Sequence, residues 1–93
     1  MSEYYRADCE EWAKGKLKDP RFKGKARLVT IKPRSGFVLG GVLVPNGKLE
    51  YPRWFYHYAV EYSGLWYDEA YKDGIPAEEF KQRFVEREEI IFS

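Results

Sequence analysis

Trp54–Asp68, WFYHYAVEYSGLWYD, holds the only histidine of the chain, and its reading decides the fold. Tyr, Val, Trp and Phe dominate it and Ser63-Gly64 interrupts it, the pattern of a strand, a tight turn and a second strand. A two-residue loop pairs Tyr62 with Leu65, Ala59 with Asp68 and His57 with Ala70. Side chains alternate along each strand, so His57 and Asp68 become diagonal neighbours on one face, about 7–8 Å apart at the backbone and within side-chain reach. A three-residue loop would put them on opposite faces.

Downstream, EAYKDGIP reads as a loop pivoting at Gly74. Pro76 suits the first position of a short helix whose start is favoured by Glu78 and Glu79. Phe80 and Phe84, four apart, would pin that helix to the sheet. Glu86–Ser93 ends in IIFS, a last strand or a docked tail.

Upstream, Ala26–Lys32 (ARLVTIK) alternates and is β-branched, which predicts a strand, and Pro33-Arg34-Ser35-Gly36 supplies turn chemistry. Phe37–Val44 reads as a second strand in which Gly40-Gly41 marks a bulge or a close backbone approach. Pro45-Asn46-Gly47-Lys48 predicts a hairpin turn, with Asn46-Gly47 suited to type I′ geometry. Pro45 and Pro52 argue for an outer hairpin over Val42–Tyr51, leaving Trp54–Tyr62 as the central strand. Lys16–Lys25, KLKDPRFKGK, is a basic loop that reads as a solvated connection.

Residues 4–17 carry Tyr5, Cys9, Trp12, Ala13 and Leu17 at spacings of three and four, which predicts a helix with one apolar stripe. Asp8 followed by Glu11 resembles a capping box, making Cys9 the first helical residue, where free N–H groups and the helix dipole stabilise a thiolate. A helix starting at Ser2 instead buries Cys9 as a small hydrophobe, the commoner state of a free cysteine. Both readings stay open. The element order gives an α+β fold in one domain, 1–93, with the N-terminal helix packed on an antiparallel sheet.

Composition bounds the function. Ninety-three residues form a single modest core. Three Trp, eight Tyr and six Phe argue against disorder. Sixteen basic residues balance fifteen acidic ones, so no global field points to nucleic acid or to an anionic membrane. One cysteine makes no internal disulfide, and no segment has the length of a membrane span or an apolar signal core, so a cytoplasmic location is the expectation, delivery as a secreted effector domain remaining open. One Cys and one His fall short of a zinc ligand set, and no metal or cofactor is expected.

Cys9, His57 and Asp68 supply, in that order, a nucleophile, a base and a group that orients the base. In DCEEWA, HYAVEYSGLWYDEAY and GIPAEEFKQRF the chain resembles papain-like cysteine peptidases, in particular the small papain-fold domains of bacterial toxins and effectors. The resemblance covers about two-thirds of the chain and is weakest over Lys16–Tyr51. It implies a papain-like core in minimal form, with Cys9, His57 and Asp68 as a catalytic triad. The implied activity is hydrolysis of an amide in a protein or peptide, as peptidase or as Gln/Asn deamidase, or amide transfer to an amine. A protein or peptide substrate and an immunity-type or other protein partner are the expected partners. The chain departs from the larger enzymes in lacking a Gln before the nucleophile and in carrying Ala7 and Asp8 where Gly and Ser are usual. That leaves the Cys9 N–H as the readable oxyanion donor. The alternative from a different class is a non-catalytic protein-binding module or small inhibitor that grips a partner through an aromatic face, with Trp54 or Trp66 as the candidates.

Overall fold

Strands β4 (His57–Tyr62) and β5 (Leu65–Tyr67) form the hairpin expected around Ser63-Gly64, with Tyr62 paired to Leu65, Glu61 to Trp66 and Val60 to Tyr67. Both loop residues have positive φ, 53° at Ser63 and 83° at Gly64, as a two-residue type I′ turn requires. Glycine adopts this freely, whereas Ser63 bears a steric cost of about 1 kcal/mol. The chain is described here from a computed structural model over residues 4–5, 9–35, 38–52 and 54–93.

β1 (Arg27–Pro33) lies antiparallel to β4, with Leu28 opposite Val60 and Ile31 opposite His57. β7 (Ile90–Phe92) closes the other side of β1, and β6 (Ile75–Pro76) pairs with β5. The sheet order is β6-β5-β4-β1-β7, with β4 in the middle. β2 (Val42–Leu43) and β3 (Leu49–Glu50) make a separate two-stranded hairpin. The outer position expected for that hairpin is the observed one.

Alternation divides the core into two clusters, one on each face of the sheet. On one face Val60, Tyr58 and Tyr62 of β4 pack with Leu28, Tyr67 and Phe22 beneath helix α1 (Cys9–Leu17), which contributes Trp12, Ala13 and Leu17. On the other, Val29, Ile31, Ala59 and Trp66 meet Phe80 and Phe84, from helix α2 (Ala77–Gln82) and the turn after it, and Leu39 and Val42 of the hairpin region. Phe80 is fully buried and Phe84 nearly so. The two rings anchor α2 as their spacing predicts, each worth roughly 2–3 kcal/mol of burial. The architecture is α+β, with helices on both sides of an antiparallel sheet.

Several expectations are corrected. Tyr4 and Tyr5 are not helical, the described helix is Cys9–Leu17, and Tyr5, placed by its spacing on the helix's apolar stripe, packs on the opposite cluster with Trp54. The expected cap, Asp8, lies outside the described residues, as do Gly36 and Phe37. The strand expected over 37–44 is reduced to Val42–Leu43, since Leu39 donates its N–H to Trp54 and Gly41 accepts from Val85 in place of a continuous ladder. The ring of Tyr51 lies against Gly41, the close approach that Gly40-Gly41 announced. The 44–48 turn is not type I′, because only Gly47 has positive φ. Pro45 and Asn46 occupy the centre of a turn closed by Gly47 N–H to the Val44 carbonyl, and Asn46 Oδ1 accepts from Lys48 N–H. Pro45 preorganises that arrangement, since its fixed negative φ suits the first central position of an ordinary turn. Pro76 precedes the helix as its cap residue and ends β6, so the helix begins one residue later than expected.

Candidate functional site

Asp68 ends the β5 arm of the central hairpin and is fully buried. An ionised carboxylate in such a place requires hydrogen bonds to every available lone pair. Asp68 Oδ1 accepts the backbone N–H groups of Ala70 and Tyr71, each at 3.0 Å. Oδ2 accepts the Tyr5 hydroxyl at 2.8 Å and lies 3.1 Å from His57 Nε2 and 3.2 Å from Arg83 Nη2. Burial alone would raise its pKa; the hydrogen bond from His57 and the Arg83 charge outweigh this and hold it at about 2. Asp68 therefore carries its charge at neutral pH.

The carboxylate fixes the histidine tautomer. Facing an ionised oxygen, Nε2 must carry the hydrogen, so in neutral His57 the lone pair sits on Nδ1. Nδ1 is buried and has no hydrogen-bond partner among the described residues. The ring is 1% exposed, stacked on Trp54 with centroids 4.0 Å apart and met edge-on by Tyr5 at 5.5 Å. The register expected for Ser63-Gly64 thus delivers the His57–Asp68 pair.

Arg83 and Tyr5 complete the network, and neither was singled out from the sequence. Arg83, directly after α2, sends Nη1 to the Tyr5 hydroxyl at 3.1 Å and to the Leu43 carbonyl at 3.0 Å. Its guanidinium lies 4.2 Å from the ring centroids of both Tyr71 and Phe80, and Nε is buried without a partner. Burial works against its charge, but Asp68 and Tyr5 more than offset this and raise its pKa. The Tyr5 hydroxyl is pushed up by burial and then by Asp68, so it stays protonated and donates. A cavity of about 350 Å³ lined by Leu43, Tyr71, Ile75, Glu79, Gln82 and Arg83 shares its arginine with this network. The signal for Arg83 was present: it follows Phe80 by three residues, on the face that Phe80 and Phe84 turn inward.

Cys9 is half-buried and is the first described residue of α1. Tyr4 and Tyr5 are not helical, so a helix running from Ser2 is not observed, and the residues that would cap Cys9 lie outside the described ones. Its helix packs on the face of β4 opposite to His57. There Cys9 is within electrostatic reach of Tyr58, whose hydroxyl is raised first by burial and then by Glu10, Tyr56 and Cys9. The His57 ring lies on the other face, against Trp54, Tyr5 and Asp68. The arrangement assembles the base and its orienting carboxylate and leaves the thiol apart from them.

The aromatic face falls elsewhere than expected. Trp66 is buried and gives its indole N–H to Glu61, and Trp54 is occupied with His57 and Tyr5. Among the described residues the exposed aromatic ones are Tyr51 (67%), Phe55 (71%) and Tyr56 (48%). Among the described residues no group of three or more His, Cys, Asp or Glu is arranged to hold a metal ion, and no helix is long and apolar enough to cross a membrane. No protein-family model, no curated protein and no solved structure matches the chain.

Proposed function

We infer that the chain is a papain-like cysteine hydrolase acting on an amide bond of a protein or peptide through Cys9, His57 and Asp68. The observation that supports it most is the state of His57: Nε2 is committed to an ionised carboxylate, and Nδ1 has a lone pair and no partner among the described residues. That is the tautomer a general base needs, and Cys9, in the first described turn of α1, is the nucleophile of this reading.

In this reading Cys9, which α1 holds on the opposite face of β4, must first be brought to His57; its thiol proton then passes to His57 Nδ1 and the sulfur attacks the amide carbon. The imidazolium, held by Asp68, returns its proton to the departing nitrogen as the C–N bond breaks. Water, giving a proton to Nδ1, then splits the thioester and frees Cys9. The Cys9 N–H at the start of α1 is a donor for the oxyanion.

Alkylation of Cys9 by iodoacetamide across pH tests this. A reactive centre gives an inflection well below the ~8.5 of a free thiol, abolished in Cys9→Ser and moved toward 8.5 in His57→Ala. A Cys9 that reacts in the folded protein like any free thiol, unaffected by His57→Ala, removes the hydrolase. The second reading, a non-catalytic protein-binding module, is favoured by Tyr51, Phe55 and Tyr56, which expose aromatic rings within six residues of one another. Loss of partner capture on Phe55→Ser with Cys9→Ser silent would select it.

A further inference from the structure

We propose that Lys14–Arg27 is a docking knob for an acidic peptide segment of a partner protein. Within those residues stand seven basic side chains and one acidic one, leaving nine basic and fourteen acidic in the remainder of the chain. The near-zero total therefore hides a strongly positive region set against a negative body. At physiological ionic strength charges are screened beyond about 8 Å, and the molecule measures 33 × 26 × 22 Å. An approaching ligand consequently feels the local excess of the knob, not the sum.

The knob is built. After α1 the chain turns repeatedly: Asp19 N–H bonds the Lys16 carbonyl, Phe22 and Lys23 N–H both bond the Asp19 carbonyl, and Lys25 and Ala26 N–H both bond that of Phe22. Phe22 is fully buried, with its ring edge-on to Tyr62 and Tyr67 at 5.0 Å, and it anchors the loop to the sheet. The Asp19 carboxylate is turned back onto the Arg21 N–H. Lys16 Nζ and Arg21 Cζ lie 5.4 Å and 4.3 Å from the same Phe22 ring, which brings two cations together over one hydrophobic plug.

Two cations at the ends of the knob are paired, Lys14 with Glu10 and Arg27 with Glu61, and outside it Arg87 and Lys81 lie against Glu78 while Lys32, Arg34, Lys48 and Lys72 stand singly without a carboxylate among the described residues. Lys16, Lys18, Arg21, Lys23 and Lys25 have no carboxylate partner among the described residues. Five uncompensated cations on a fixed loop suit a run of carboxylates. A peptide of five or six residues spans roughly 17–22 Å extended and stays on the knob. A long nucleic acid laid over so small a body would also meet the acidic remainder. It would find no stacking platform either, since Lys16 sits over both the Trp12 and Phe22 rings.

The probe is a fluorescein-labelled peptide of alternating Asp and Glu, followed by anisotropy with the full chain, beside its Asn/Gln counterpart and a short DNA duplex. The acidic peptide is expected to bind, to weaken about tenfold as salt rises from about 0.05 to 0.3 M, and to be lost in Lys18→Glu/Lys23→Glu/Lys25→Glu. Lys18→Gln/Lys23→Gln/Lys25→Gln, which adds no repulsion, should weaken it severalfold. Lys72→Glu, outside the knob, should leave binding intact. Absence of binding, equal binding of the Asn/Gln peptide, retention in both triple variants, or tighter binding of the duplex overturns the proposal. Because binding is read without hydrolysis, failure here and failure of the Cys9 chemistry are separate results.

Discussion

Arg83 Nη2 lies 3.2 Å from the same Asp68 oxygen that faces His57 Nε2, so one buried carboxylate oxygen serves an arginine, a histidine and the Tyr5 hydroxyl at once. The guanidinium comes from the far side of the core, past α2, and its other nitrogen reaches the outer hairpin at Leu43. Three separate parts of the chain are thereby tied to the end of one strand.

Removing the arginine leaves that carboxylate with less charge compensation and a void between Tyr71 and Phe80. Arg83→Met is expected to cost about 3 kcal/mol, at the low end for a broken buried pair because four other donors remain on Asp68. Urea unfolding at neutral pH measures it. The cost in an Asp68→Asn background should be clearly smaller, and equal costs in both backgrounds would deny the coupling.

Asp68 also sets an acid limit. Its folded pKa, about 2, is below the ordinary 3.8. A depressed carboxylate contributes stability above its unfolded pKa and loses it as pH falls through the folded one. The protein should therefore lose roughly 2 kcal/mol between about pH 4 and pH 2 on account of this residue. Asp68→Asn should flatten that part of the curve, and a slope unchanged by the substitution would assign acid sensitivity to other groups.

Ser63 holds φ 53° in the central turn without the allowance glycine has. Ser63→Asn or Ser63→Gly is expected to stabilise by about 0.5–1 kcal/mol, seen as a rise of several degrees in Tm. A fall in Tm with both would contradict the type I′ assignment.

Gly74 has φ +79°, and a Cβ there would lie 2.7 Å from ring carbons of Tyr67. Tyr67 is itself packed on Phe22, so the ring cannot swing freely. Gly74→Ala should destabilise by about 2 kcal/mol or more through strain and clash together. Adding Tyr67→Leu, which removes the obstructing ring, should lessen the further cost of the alanine.

The sequence carried the centre of this fold more clearly than its periphery, for physical reasons visible in single residues. Ser63-Gly64 between two aromatic, β-branched runs admits few registers, and that register alone brought His57 to Asp68. Phe80 and Phe84 announced α2, and Pro45 and Pro52 set the small hairpin apart from the sheet. Tyr5 misled because its spacing to Cys9 is helical while its ring is claimed by Trp54 and by a buried carboxylate, contacts that depend on residues some fifty positions away. Arg83 carried a signal in its spacing from Phe80, but an arginine near a helix end reads as solvent-facing until a buried charge is known to await it. Residues 37–44 looked like a strand by composition, but strand formation needs a partner edge, and there the backbone bonds are taken by Trp54 and Val85.

The outer hairpin never joins the main sheet; Leu43 gives its N–H to the Arg83 carbonyl and takes a hydrogen from the same residue's side chain, while Val42 bridges to Phe84. The hairpin and the end of α2 are in effect a single leaf lying over the face that holds His57. Were that leaf to lift, as local opening events in small domains do, the arginine would go with it, and an imidazole shielded by rings would face water beside a carboxylate stripped of its main cation. Amide exchange at Leu43 and Val85 would then keep the same time as side-chain exchange at His57, although the hairpin and the histidine belong to different sheets.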